Sequence, residues 1–260
     1  MDRLRCKGGP WPRYDAEKSR WMNTTMKRLT ITRQTARSAA INGIFSLVFA
    51  ASFAPVTAQE IPDFEGIWSG DRVAGPGVRP RAEAVVTPAG RAKMATFKLL
   101  DDPAIRCEPN GLVRQAGNPY PMEIIQYDDR MTLRYEEWMT TRTVYTDGRP
   151  HPENTELTRL GHSIGWAEGG TLVVETTGIT PHLISNRTGL YSSEALRVTE
   201  RYTREDDDRF GSIISFEMTL EDPIMLEEPY AVEKAWSWAP DLELLTYDCI
   251  LRERPPSATQ

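Results

Sequence analysis

Residues 59–260 predict an all-β fold, an antiparallel lipocalin-like barrel or strongly bent sheet of nine or ten strands with one short helix. Three observations carry that expectation. From Met122 onward apolar and polar residues alternate in short runs, the two-residue period of strands with one buried face. Turn signals separate the runs at hairpin spacing, chiefly Asp147-Gly148, Glu168-Gly169-Gly170 and the acidic stretch 205–208. No segment recurs at a fixed period, so neither a propeller nor a solenoid is expected.

The first 58 residues read as a leader outside that domain. Lys27, Arg28, Arg33 and Arg37 form a positive region after Met26, residues 39–54 form an apolar run, and Val56-Thr57-Ala58 ends it in small side chains. Cleavage after Ala58 is expected, with Gln59 as the first mature residue. Residues 1–25, Cys6 included, have no place in such a signal, so translation is expected to begin at Met22 or Met26. The apolar run is shorter than the roughly 20 residues of a membrane-spanning helix. The protein is therefore expected in the periplasm or medium, without stable membrane insertion after cleavage. Of 31 Lys and Arg and 37 Asp and Glu, the leader holds ten basic and three acidic residues, which leaves a net charge of −13 after cleavage. An acidic surface repels phosphate backbones and anionic lipid, so no nucleic-acid partner is expected. About 200 residues suffice for one domain with a substantial core.

The elements follow in order. Phe64 and Trp68 are bulky strand formers, and Gly66 between them allows close approach to a neighbouring strand. Residues 83–86 form a short strand; Thr87 and Pro88 then read as N-cap and first position of a helix continuing over 93–100. Residues 100–121 contain four prolines and two glycines and are expected to be irregular, as a lid or one wall of a pocket. Strands are expected at 122–127, 131–138, 141–146, 162–167, 171–177, 195–203, 210–220, 230–238 and 244–251. Two cysteines remain after cleavage, Cys107 and Cys249, and in an exported chain such a pair reads as a disulfide.

The Gly66-Ile67-Trp68 triplet resembles the first-strand signature of lipocalin-like barrels, in which the Trp closes the barrel floor. The phrases LDDPAIRC, GNPYPMEIIQ, TDGRPHPE, GHSIGWAEGGTLVVETTGI and the closing YDC resemble a widespread, largely uncharacterised family of secreted bacterial proteins. That resemblance implies export and a single β-rich domain, and brings no activity with it.

All three histidines lie between Arg142 and His182. Glu200 shares a strand face with Leu196, Val198 and Tyr202, a carboxylate among apolar neighbours; His162 shares one with Ile164 and Trp166. Inside one cavity, His162 and Glu200 could serve as a proton-transfer pair, with Tyr120 or Arg106 orienting a substrate. The competing reading is a satisfied core contact, with Glu200 paired to Arg134 or Arg197. His151, held between Pro150 and Pro152, suits either a binding loop or an ordinary turn, and His182 reads as a solvated loop residue. Tyr135, Trp166, Tyr202 and Trp236 could wall a cavity for a small apolar or aromatic ligand, or could fill the core. Arg106 could hold a ligand carboxylate. The histidines lack metal-site spacing, and no phosphate- or dinucleotide-binding motif occurs, so no metal and no cofactor are expected, nor is triad hydrolysis. Two functions remain: a carrier of a small, mostly apolar or aromatic molecule, or a cofactor-independent lyase, isomerase or hydratase.

Overall fold

The computed structural model describes residues 60–70 and 78–251; the expected leader, the expected cleavage site and Gln59 lie outside the described residues. In chain order the strands are β1 (Gly66–Ser69), β2 (Arg79–Pro80), β3 (Met122–Gln126), β4 (Arg130–Tyr135), β5 (Thr140–Tyr145), β6 (His162–Glu168), β7 (Thr171–Thr177), β8 (Leu183–Ser185), β9 (Leu190–Tyr191), β10 (Arg197–Asp207), β11 (Gly211–Glu221) and β12 (Tyr230–Trp238). Nine of them run β1-β3-β4-β5-β6-β7-β10-β11-β12 and close through β1 onto β12; β2 adds to β12 beside the closure. Closure pairs Trp68 with Trp238, whose rings meet edge to face at 5.1 Å. A Cβ on Gly66 would lie 2.2 Å from the Trp238 ring, so the close approach expected of this glycine is real.

The barrel is mixed rather than purely antiparallel. Strands β5 and β6 run parallel, joined only at Val144 with Ser163 and Tyr145 with Ile164. Asp147-Gly148 does turn the chain, with Gly148 at φ 80°, but no hairpin follows. Pro150 and Pro152 prevent an immediate return strand, and residues 146–161 cross back so that β6 starts beside β5 in the same direction. The expected strand at 244–251 is absent: this segment has no ladder partner, and the disulfide between Cys107 and Cys249 (Cα–Cα 5.6 Å) fastens it instead. The expected strand at 83–86 reduces to one bridge, Val86 with Leu226. The acidic turn at 205–208 is displaced, because β10 continues to Asp207 and pairs with Gly211.

Helix α1 (Pro88–Ala95) is capped by Thr87, whose side chain accepts from the Gly90 N–H, and stops short of the expected end. The long irregular stretch contains the single-turn helix α2 (Leu112–Ala116), whose Leu112, Val113, Gln115 and Ala116 are buried against one barrel end. The small β8–β9 hairpin, which no alternation in the sequence signalled, packs beside α2. Together they bring loop 100–111 and loop 178–192 to the same end of the barrel.

Candidate functional site

Alternation along β4 to β12 sends Tyr135, Arg142, Ser163, Thr176, Glu200, Tyr202 and Trp236 inward, and every one of them is buried. Tyr202 packs on Phe216 at 4.9 Å and Phe216 on Trp236 at 5.0 Å, so these rings, with Tyr135, occupy the barrel section they were expected to line. At its centre Arg142 grips Glu200 with both terminal nitrogens, Nη1 donating to Oε1 at 2.9 Å; Nη2 also donates to Thr176 Oγ1 and Nε to Ser163 Oγ. Tyr202 donates to the same carboxylate at 3.0 Å. Burial opposes the Arg142 charge, but Glu200 outweighs it and raises the guanidinium's pKa. Burial pushes the Tyr135 phenol up to about 12. Glu200 is therefore held by Arg142, not by Arg134 or Arg197, which pair with Glu123 and Glu175.

The expected His162–Glu200 pair does not form. On β6, Ser163 pairs with Thr176 and points inward, so His162, paired with Thr177, points outward. One residue of offset in a strand reverses the face. Ser163 sits in the stretch Gly161-His-Ser-Ile-Gly165, which has the Gly-x-Ser-x-Gly spacing of a hydrolase nucleophile elbow. Here it is the second residue of β6, 1% exposed and bonded to Arg142 and Thr176, instead of standing on a strand-to-helix turn. The spacing is thus present in the sequence, but Ser163 does not stand on an elbow.

Outside the barrel, His162 and His151 face each other with their Nδ1 atoms 2.8 Å apart. His151 Nε2 lies 3.2 Å from Glu175 Oε1, a charge contact whose angle falls short of a hydrogen bond. Tyr145 stacks on His162 at 5.3 Å and carries the Arg149 guanidinium at 4.0 Å. Burial lowers the His162 pKa, and His151 and Arg149 lower it further. Trp166 is exposed on the same outer face and donates to Glu168. Among the described residues no group of three His, Cys, Asp or Glu side chains is placed to hold a metal ion.

The richer constellation lies at the barrel end. A cleft of about 370 Å³ is walled by Pro103, Arg106, Asn110, Arg159, His182 and Tyr191, among others. Arg159, half-buried, donates to the Asn110 carbonyl at 2.6 Å and to Thr140 Oγ1 at 3.4 Å, and has no carboxylate partner among the described residues. Burial lowers its pKa. His182 is seated so closely on Gly111 that a Cβ there would meet its ring at 2.2 Å. Its Nδ1 lies 3.1 Å from the Thr180 carbonyl, an acceptor only, and 3.2 Å from Ser192 Oγ, which can also accept, so Nδ1 donates and the buried Nε2 is an acceptor with no partner among the described residues. Burial holds this imidazole's pKa down, so it is neutral at pH 7. His182 is thus a wall of the cleft and not a solvated loop residue. Arg106 lines the cleft, but its guanidinium is engaged by Glu108.

A second cleft of about 380 Å³ adjoins the first through Asn110 and Arg114 and includes Glu137 and Tyr230. Glu137 is 8% exposed, and its two oxygens meet only the Asn110 amide at 3.3 and 3.2 Å. Burial raises its pKa against that hydrogen bond. Arg114 is neutralised by Asp102, which takes both its terminal nitrogens. Tyr120 packs on Tyr247 at 5.6 Å and belongs to neither cleft. Asn110, Arg114, Glu137, Arg159 and His182 had no periodic signature. Only the pairing of a long Pro/Gly loop with a nearby cysteine marked the region they form. Comparison with protein-family models, curated proteins and solved structures returned no match for this chain.

Proposed function

We propose that the protein is an exported carrier that holds a small organic anion with an apolar or aromatic body in the cleft between loop 100–111 and loop 178–192. Arg159 carries this reading. Among the described residues its half-buried charge is met only by a backbone carbonyl and a hydroxyl, and a cation withdrawn from water without a counter-ion is costly. A carboxylate would complete it with charge-assisted bonds of planar geometry. Pro103, Pro181, Leu183 and Tyr191 supply apolar wall, and the 370 Å³ volume suits a molecule of about one ring. The site is at the barrel mouth because aromatic side chains and the Arg142–Glu200 pair occupy the interior. Proton transfer between His162 and Glu200 is not part of the reading, since the two lie on opposite faces of the barrel wall.

The test is calorimetric titration of the cleaved chain, residues 59–260, with benzoate and with benzamide, which shares its body and lacks its charge. Benzoate is expected to bind more tightly, and Arg159→Gln to weaken benzoate about tenfold or more with the melting transition retained. Equal affinities for the two probes, or benzoate binding indifferent to Arg159→Gln, would end the proposal.

A further inference from the structure

We infer that the ligand carries a second group, a hydrogen-bond donor at the end opposite its anion, seated on Asn110 and Glu137; this rests on the anion site just proposed. The two clefts meet at Asn110, and this residue has two poles. Its backbone carbonyl accepts from Arg159, while its side-chain amide donates to Glu137. Around it lie buried acceptors short of donors, His182 in the first cleft and Glu137 in the second. Asn110 Oδ1 is buried without a partner, the Glu137 carboxylate shares a single amide between its oxygens, and His182 Nε2 is bare. Buried acceptors in native proteins find donors, so two unanswered ones and a carboxylate served by a single amide, around adjoining clefts, mark a place for a donor from outside the chain.

Arg114, the guanidinium shared by both clefts, is committed to Asp102, and Glu137 has no ion pair among the described residues. The carboxylate is held in position by the chain that follows it: Trp138 at φ 60° and Met139 at φ 48° are left-handed, and Gln115 Nε2 binds the Glu137 carbonyl at 3.2 Å. Non-glycine residues hold such backbone only where surrounding contacts enforce it, and they cluster at binding sites.

The span sets the ligand class. Anion and donor are separated by the distance from the backbone carbonyl of one asparagine to beyond its side-chain amide. An α-amino acid, whose ammonium and carboxylate are attached to the same carbon, is too short. An ω-amino or ω-hydroxy acid, or an aromatic acid with the donor opposite the carboxylate, has the required length.

Calorimetric titration of residues 59–260 with four probes tests this: 4-methylbenzoate, 4-(hydroxymethyl)benzoate, 4-(aminomethyl)benzoate and benzylamine. One or both donor-bearing acids are expected to bind about tenfold or more tightly than 4-methylbenzoate. Preference for the amine identifies an ammonium, and parity of the two identifies a hydroxyl-sized donor. Glu137→Gln should remove the amine's preference, and Glu137→Met should remove the advantage of both donors, with 4-methylbenzoate affinity unchanged in each. Melting curves and 4-methylbenzoate binding establish that the variants are folded. If 4-methylbenzoate binds and the donors add nothing, or their advantage survives Glu137→Met, the second-group inference falls and the anion site stands. If benzylamine binds through Glu137 while 4-methylbenzoate does not bind, the anion reading falls and the donor seat stands.

Discussion

At the scale of single residues, two buried charges in the barrel depend on each other. Arg142 is 3% exposed and Glu200 is fully buried, and each satisfies the other with bonds to Thr176, Ser163 and Tyr202 around them. Arg142→Met leaves a carboxylate uncompensated in the core and is expected to lower stability by about 3 to 5 kcal/mol in urea. Adding Glu200→Leu should restore most of that loss, since two apolar groups replace a matched pair at little net cost; a double variant as unstable as the single one would refute this. His162 and His182 set a pH response. Both have pKa values below the ordinary histidine value of 6.5 because burial disfavours their charged forms. The unfolded chain therefore takes up protons that the folded chain refuses, so stability is fully present above about 6.5 and declines as pH falls through the depressed values. Denaturation at pH 7 and pH 5 should show the decline, and His162→Gln should reduce it while leaving benzoate affinity unchanged. An equal decline in that variant would remove His162 from the response.

At the scale of elements, closure of the barrel depends on β1 lying against β12. Gly66 has φ 123°, and its missing Cβ leaves room for the Trp238 ring. Gly66→Ala adds both overpacking and backbone strain, an expected loss of about 3 kcal/mol. Gly148 is the control: its φ is 80° but nothing lies within 4 Å of a Cβ there, so Gly148→Ala should cost about 1 kcal/mol. Chemical denaturation of the two variants side by side checks this, and equal losses would show that space at the closure is not limiting. The crossover from β5 to β6 is the other decisive element. By making that pair parallel, it sets Ser163 inward and His162 outward and places His151 beside His162.

At the scale of the whole molecule, the Cys107–Cys249 bridge closes a separation of 142 residues and fastens a last segment that no ladder holds. On a chain-entropy basis its reduction should cost about 4 to 5 kcal/mol. Melting with and without reductant measures the loss, and thiol titration of the denatured, unreduced chain should find neither Cys107 nor Cys249 free. Two titratable thiols would refute the bridge. Fastening residues 242–251 also fastens the barrel end, because Leu245 N–H donates to Glu136 and Tyr247 packs on Trp138 at 4.9 Å, both next to Glu137. Reduction is therefore expected to weaken 4-(aminomethyl)benzoate more than 4-methylbenzoate, which the same titrations would show.

The sequence by itself determined the β-rich architecture, because a two-residue alternation is a property of each strand and survives any arrangement of the others. It placed β7 and β12 at the residues where they occur, and it marked Gly66 and the Thr87 cap, all features settled by a few neighbouring side chains. Cysteine count and the expectation of export were enough to pair Cys107 with Cys249. Which face of a strand turns inward was decided only by tertiary structure, since alternation gives two equivalent sets and the crossover before β6 chooses between them. That choice separated His162 from Glu200. The partner of Glu200 was likewise decided by register, which brought Arg142 across from three strands away in preference to the nearer Arg197. The cleft at the barrel end was beyond the sequence because its residues come from four separate loops and turns with no common period. Asn110, Glu137, Arg159 and His182 become one constellation only where burial withholds water from polar groups that would otherwise be solvated.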